Sequence, residues 1–418
     1  MPELLSPPPP ALAAASAGPA PMLEDLRALP RAFWVLFAGT FINRFGTFVW
    51  PFLTIYLTRR GYSPAFAGTA IACFGLGQIT GHTLGGWLAD RIGRRNTIVL
   101  GAFLGAVFYL SIYFAHTVPT ILIALFFAGL GAATYQPASS ALIADIVPEK
   151  RRLRAYSALR LALNAGFAGG SACAGFLAEH SFFWLFAGDA FTTALFGCIA
   201  WSALPHGQRA KGGNAPWSEA LASMARNRSF HALFLGSLCL GLICMQISTN
   251  YPLHVLAVGA RFDFLGLHFH DTQAYGLLLA WNGLLVVVAE LPLTGFILRF
   301  HPRHAMAFGY LLSGFGLTIN IICRDFASLF VAMTILTIGE MACAPVGSAY
   351  MARVAPERMR GRYMGVLALS WSLSSIFGPL GGTRLYVAHP NVLWIACGLL
   401  GIIGALTILA DRGPAARK

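Results

Sequence analysis

The sequence predicts an all-α membrane protein of twelve transmembrane helices arranged as two six-helix bundles. Three observations predict it: the composition, the recurrence of apolar runs of spanning length, and an internal repeat. Of 418 residues, 57% are hydrophobic and only 11% charged, with a mean hydropathy of +0.66, whereas a soluble domain carries roughly 25% charged residues. A soluble fold cannot hide that much apolar surface, so the bilayer is the solvent. A hydrocarbon core about 30 Å thick needs roughly 20 apolar residues per helix, and such stretches fill most of the chain.

Taken in order, residues 1–30 read as a disordered cytoplasmic tail. The Pro7 to Pro10 run breaks any helix, and the segment lacks the basic start of an export signal. Apolar runs bounded by charges or by Pro and Gly then place continuous helices near 32–57, 66–89, 97–115, 119–144, 156–179 and 182–203, the N-terminal bundle of residues 31–204. Residues 205–229 form a polar cytoplasmic linker with Arg209, Lys211 and Gly212, in which Trp217 to Arg226 has the pattern of a short interfacial helix. The second bundle, 230–410, holds helices near 230–256, 273–298, 305–323, 327–352, 363–388 and 391–410. Residues 411–418 are a cytoplasmic tail.

The charges set the orientation. Of the 29 Lys and Arg, 22 fall in the tails and loops of one side and five on the other, with Arg44 and Arg160 left inside spans. That excess marks the cytoplasmic side of a cytoplasmic (inner) membrane, with both termini inside. The same distribution argues against nucleic acid as the reason for a net charge of +13. All eight Cys lie within spans and none forms a C-x-x-C pair, and no His pairs with a carboxylate at helical spacing; neither a metal nor another cofactor is expected. No Walker loop and no nucleophile, base and acid set occurs, which points away from an ATPase or another enzyme.

The repeat has an offset of 208 residues. Tyr135-Gln136-Pro137-Ala138 through Pro148-Glu149 matches Cys343-Ala344-Pro345-Val346 through Pro356-Glu357, and the register persists through Arg152/Arg360 and Arg154/Arg362 to Gly170/Gly378. Two homologous bundles related by an axis along the membrane normal leave a central cavity between them, and rocking exposes it to each face in turn.

After the second helix comes Gly86-Trp87-Leu88-Ala89-Asp90-Arg91-Ile92-Gly93-Arg94-Arg95. This resembles the loop signature of the major facilitator superfamily, G-x-L-a-D-r-x-G-r-r, at every defining position, and with the twelve spans and the duplication the resemblance covers nearly the whole chain. It implies the major facilitator fold, a functional monomer and a cytoplasmic latch made of Gly86, Asp90, Arg91, Gly93, Arg94 and Arg95. In it Asp90 sits near the N-terminus of the eleventh helix and Arg94 pairs with Asp145. A carboxylate is favoured at a helix N-terminus by about 0.3–2 kcal/mol. The equivalent loop of the second half, Gly295-Phe296-Ile297-Leu298-Arg299-Phe300-His301-Pro302-Arg303, has Arg299 in place of the acid, so the latch is expected on one side only. The fifth helix, with Gly166, Gly170 and Gly175, resembles the glycine-rich motif of bacterial drug:proton antiporters in this superfamily, with Ser171 where that motif has Pro. A more faithful version, Gly378-Pro379-Leu380-Gly381-Gly382, lies in the eleventh. Gly77, Gly81 and Gly85 form another small-residue face, and the second, fifth and eleventh helices are expected to pack where the halves meet.

Charges inside spans are costly and mark functional sites by default. Arg44, Asp189, Glu290 and Glu340 stand out. The resemblance places the first, fourth, seventh and tenth helices around the cavity, so Asn43, Arg44, Gln136, Gln246, Asn250 and Glu340 are candidate lining residues. Glu340 is the first candidate for proton coupling and Glu290 the second: an apolar cavity disfavours the charged carboxylate, so it loads and releases protons as access alternates. Glu340 can instead form a standing ion pair with Arg44. Glu290 and Arg160 are candidates for an ion pair between the halves, Asp189 reads as structural, and His82 reads as a hydrogen-bonded core residue or a relay. Aromatic candidates are Phe45, Trp50, Tyr135 and Trp281. The resemblance as a whole implies a secondary transporter that exports a small organic solute in exchange for protons. An importer of a metabolite or siderophore, and a non-transporting receptor on the same scaffold, stay open.

Overall fold

A computed structural model describes residues 26–206, 217–259, 262–264, 267–297, 299–356 and 359–411. The expected N-terminal tail up to residue 25, linker residues 207–216 and tail residues 412–418 lie outside them. Helices α1 (Arg31–Phe45) and α2 (Val49–Arg59) form the first span. The N-terminal half continues with α3 (Pro64–Arg91), α4 (Arg94–Phe114), α5 (Val118–Ile146), α6 (Glu149–His180) and α7 (Phe182–Ala203). A short α8 (Trp217–Ala225) follows. The C-terminal half comprises α9 (Arg228–Thr249) and α10 (Tyr251–Val258), which share the seventh span, then α11 (Asp271–Ile297), α12 (Pro302–Thr318), α13 (Phe326–Val354), α14 (Arg360–Ala388) and α15 (Pro390–Ala410).

Among the described residues, ten helices are long and apolar enough to cross a membrane on length and composition alone. The other two spans are α3 and α12; α12 has 17 residues and is prolonged by a 3-10 turn at Ile319–Ile321.

Local chemistry fixes where these helices begin. Ser63 caps α3 by accepting from the Phe66 amide ahead of Pro64, Asn227 caps α9 through Phe230, and Thr117 and Asp325 open α5 and α13 with reciprocal capping boxes to Thr120 and Ser328. The last two caps lie 208 residues apart. The α5/α13 and α7/α15 starts repeat at the same spacing, so the sequence repeat is a repeat of whole elements.

Two spans expected as single helices are broken. Gly46–Phe48 interrupts the first, and Asn250 separates α9 from α10 in the seventh. An antiparallel hairpin, β1 (Phe262–Phe264) and β2 (Leu267–Phe269), sits in the loop after α10. It was not anticipated, although its alternating Phe, Asp, Leu and His pattern is the one a half-exposed strand requires.

The halves meet along two seams, α3 against α14 and α6 against α11. The second and eleventh helices therefore pair with each other, whereas the fifth pairs with the eighth. Gly77, Gly81 and Gly85 face the backbone of α5 within their own half; on the other side of α3, Gly68 and Gly75 approach Thr383 and Ser375 of α14. A Cβ at any of these five would fall within 2.4–2.7 Å or less of a neighbouring atom, so Gly is required for the approach.

Candidate functional site

A cavity of about 530 Å³ opens between the halves. From the N-terminal half its wall takes Asn43 and Arg44 of α1, Thr47 at the helix break, Gln136 of α5, Arg160 and Asn164 of α6, and Asp189 of α7; from the C-terminal half it takes Met245, Glu340 and Trp371. Trp50, Phe74, Tyr109, Tyr135 and Phe167 supply its apolar surface. The cavity thus combines charged and polar groups with several aromatic side chains, as small-molecule sites do.

The break in the first span is built by Asp189. Its carboxylate accepts the Val49 amide at 3.2 Å and the Thr193 hydroxyl at 3.4 Å, so an acid from α7 caps the N-terminus of α2. Thr193 also donates to Asn43 Oδ1 at 2.9 Å, which fixes that buried amide at the cavity wall. Asp189 carries the structural role expected of it, but one larger than a single polar contact. The signal for it was the Phe45-Gly46-Thr47-Phe48 sequence, a Gly inside an apolar run opposite an acid in another span.

Arg44 ends α1 and faces the same cavity. Its acidic neighbour is Asp189; no ion pair joins it to Glu340 among the described residues. Glu340 of α13 is half-buried, and its side chain has no hydrogen bond or ion pair there; its charged neighbours are Arg160 and Glu290. Those two are themselves joined, Arg160 Nη2 to Glu290 Oε1, in an ion pair across the α6–α11 seam. Gln136 Oε1 accepts from His82 Nε2 at 3.2 Å, linking the fourth span to the second.

Gln246 and Asn250 do not line the cavity, contrary to expectation. Both are buried in a knot where Asn250 Nδ2 donates to Gln246 Oε1 at 2.6 Å and Gln246 Nε2 donates to the Leu242 carbonyl at 2.9 Å and reaches that of Gly378. The reason is the missing side chains of Gly378 and Gly382, beside which the two amides pack and bond one another instead of turning to the cavity. Gly381 has open space. Pro379 sits within the continuous α14, and its carbonyl accepts the Thr383 hydroxyl at 2.7 Å. In α6, Gly166 and Gly170 admit the α1 backbone at Phe41 and Phe45, while Gly175 meets Gly276 of α11. Phe45 and Trp281 stand outside the cavity wall; the indole of Trp281 donates to Thr334 at 2.9 Å and stacks on Phe330.

At the basic face, Arg94 is buried and held by two acids. Its guanidinium donates to Asp90 at 2.6 Å and lies 3.5 Å from Asp145, the second contact an ion pair without hydrogen-bond geometry. Gly93 adopts φ +92°, a conformation that favours Gly, and the Arg94 amide donates to the His206 carbonyl at 3.1 Å. Arg95 reaches His206 Nε2 at 2.6 Å, and Arg91 stacks over Trp87 at 4.4 Å. Asp90 is 56% exposed, and Gly86 of α3 and Gly365 of α14 meet nothing within 4 Å among the described residues.

The opposite face is shut. Tyr275 donates to the Pro51 and Ile247 carbonyls at 3.1 Å and packs edge-on to Phe52, Thr54 donates to the Ser248 carbonyl at 3.4 Å, and Arg59 donates to Thr272 at 2.7 Å. The α3–α14 seam follows the same pattern: tight where Gly68 and Gly75 meet Thr383 and Ser375, and open at Gly86 and Gly365, the end that carries the basic loops.

Two spanning bundles in tandem repeat, a cavity between them and a basic loop pinned by buried Arg94 define a membrane transporter. Residues 36–269 and 262–418 match the Major Facilitator Superfamily, and the chain belongs to that family. It is 30% identical to the MFS-type transporter YttB of Bacillus subtilis (strain 168) over 92% of this chain and 96% of the relative. It is 26% identical to the Na(+), Li(+), K(+)/H(+) antiporter of Planococcus maritimus (88% and 91%) and 25% identical to the multidrug resistance protein MdtH of Citrobacter koseri (87% and 88%). Its fold is similar to that of the peptide transporter POT, crystallised in complex with sulfate, with a TM-score of 0.78 at 16% identity, covering 91% of this chain and 94% of that one. The chain is thus a multi-pass membrane protein that sits in a lipid bilayer, in a family that binds small-molecule substrates.

Proposed function

We propose that the protein exports a small organic solute across the cytoplasmic membrane in exchange for protons, with the basic face and both termini in the cytoplasm. The observation that carries this reading is Glu340: a carboxylate in the wall of a cavity between two rocking halves, with no hydrogen bond or ion pair of its own. Such a group takes a proton when it faces an acidic compartment and releases it when it faces a neutral one, which couples one movement to the other. Glu290 is less suited to the task because Arg160 already neutralises it. The names of two relatives, a cation/H(+) antiporter and a multidrug resistance protein, point the same way.

On this reading the structure is the inward-open state. The Tyr275, Thr54 and Arg59 contacts close the outer side, and the latch residue Asp90 is exposed because the seam beside it is open. Closing the cytoplasmic side brings Asp90 to the start of α14, where the helix dipole favours a carboxylate.

The test is solute-dependent proton movement in liposomes that enclose a pH-sensitive dye, under an imposed proton gradient. Lipophilic cations, zwitterions and anions are screened on the wild type and on Glu340→Gln. Export requires solute and protons to move in opposite directions, with the flux lost in Glu340→Gln. Flux that survives the substitution moves the coupling role to Glu290, movement in the same direction makes the protein an importer, and no flux with any solute leaves the receptor reading.

A further inference from the structure

We propose that the cavity is built for a zwitterionic solute, which sets its acidic group on Arg44, its ammonium on Glu340 and an apolar body between them. The inference takes the cavity from the transport reading, but it concerns what binds there and not what moves. Arg44 belongs to the N-terminal half. It has no side-chain hydrogen bond or ion pair among the described residues; the acid beside it, Asp189, turns its carboxylate to the Val49 amide and the Thr193 hydroxyl and makes no ion pair with it. Glu340 belongs to the other half and is likewise unpaired, because the cation near it, Arg160, is bound to Glu290.

Two opposite charges therefore face one cavity from opposite halves without meeting, and the same wall carries the aromatic residues Trp50, Phe74, Tyr109, Phe167 and Trp371. Each unpaired charge inside a bilayer is costly and demands a partner. A simple cation satisfies Glu340 but brings its charge toward Arg44, and a simple anion does the reverse. Only a solute that carries both charges satisfies both groups. Since each charge is held by a different half, such a solute also draws the halves together, so it binds best in the occluded state.

The experiment is equilibrium binding to the full-length purified protein in detergent, by titration calorimetry, with three probes on one aromatic body: 4-(aminomethyl)phenylacetic acid, its N-acetyl derivative and its methyl ester. The same three forms are made on a biphenyl body to vary the charge separation. In at least one set the zwitterion is expected to bind roughly tenfold tighter than either capped form, about 1.4 kcal/mol. Arg44→Gln should then lower zwitterion binding to that of the methyl ester, and Glu340→Gln to that of the N-acetyl form. Arg44→Lys, which keeps the charge, should preserve the preference and guards against a folding defect in Arg44→Gln. Equal binding of the three forms in both sets, no binding of any, or a preference untouched by both Gln variants overturns the proposal. A preference that holds while no solute drives proton movement sinks the transport reading and leaves this one standing.

Discussion

The two halves share a backbone register but fasten their basic ends with different residues. In the N-terminal half, Arg94 at the start of α4 is clamped by Asp90 and Asp145, and His206 ties the same loop to the end of the bundle. At the matching places the C-terminal half has Arg299, Arg303 and Arg353, with no acid. There the work falls to Asp411 after α15: its carboxylate accepts the hydroxyls of Ser229 and Tyr350, each at 2.8 Å, and its carbonyl accepts from Arg303. The starts of α4/α12, α5/α13 and α7/α15 repeat at 208 residues, as do Arg152/Arg360 and Arg154/Arg362, while the acids of the clamp do not. The fold tolerates that divergence because its spans are held by packing and backbone capping, and the loop charges are free to take up separate tasks.

The largest effect that would sharpen this contrast comes from removing both acids around Arg94. Asp90→Asn combined with Asp145→Asn leaves a guanidinium with only 7% exposure and no counter-charge, a loss of roughly 3–5 kcal/mol. Asp90→Asn alone is expected to cost about 1 kcal/mol or less, because that carboxylate is largely exposed to screening solvent and Asp145 stays in place. Thermal unfolding in detergent of the two single variants and the double reads the difference. A double variant no less stable than the sum of the singles would mean that the acids act independently, and the clamp would not exist as a unit.

A smaller effect is expected at Asp411. Asn there keeps one acceptor but sets an NH₂ against one of two buried hydroxyls, Ser229 or Tyr350, at a cost of about 1–3 kcal/mol. Hydrogen exchange locates the change. Amides at the start of α9 and the end of α13 should exchange faster in Asp411→Asn while α5 is unaffected; faster exchange in both halves would show that the basic ends are not fastened separately.

Much of this architecture was legible in the sequence because hydropathy, Lys/Arg bias and the repeat all report on the bilayer, and the bilayer acts on every span alike. Five element starts are capped by a Ser, Thr, Asn or Asp side chain, at Ser63, Thr117, Ser181, Asn227 and Asp325, whereas others begin after Pro, Gly, Met or His. The break at Gly46–Phe48 showed only as a Gly inside an apolar run, and that at Asn250 only as Pro252 two residues on, since apolar composition is blind to where a helix unwinds. For the same reason Asp189 read as a minor contact and not as the cap of α2, and Gln246 and Asn250 read as cavity residues when their partner was the Gly378 and Gly382 notch. The Arg160–Glu290 pairing could be proposed from sequence because both charges sit at the same depth in their helices. Whether Arg44 met Glu340 could not be settled, because depth alone does not give the face.

The smallest predicted effect tests whether the C-terminal half has kept a vacant clamp. Arg353 occupies the position of Asp145 and is exposed at the end of α13. Arg303, which matches Arg94 when the two loops are aligned on Gly86 and Gly295, is already engaged by the Asp411 carbonyl. Arg353→Ala removes only an exposed charge, and Arg353→Asp offers Arg303 only a solvent-screened carboxylate at an exposed position, so both should leave thermal stability within about 0.5 kcal/mol of wild type. A gain of 1 kcal/mol or more in Arg353→Asp would show that Arg303 can still be clamped as Arg94 is. The asymmetry would then lie in a few substituted residues and not in a relocated fastening.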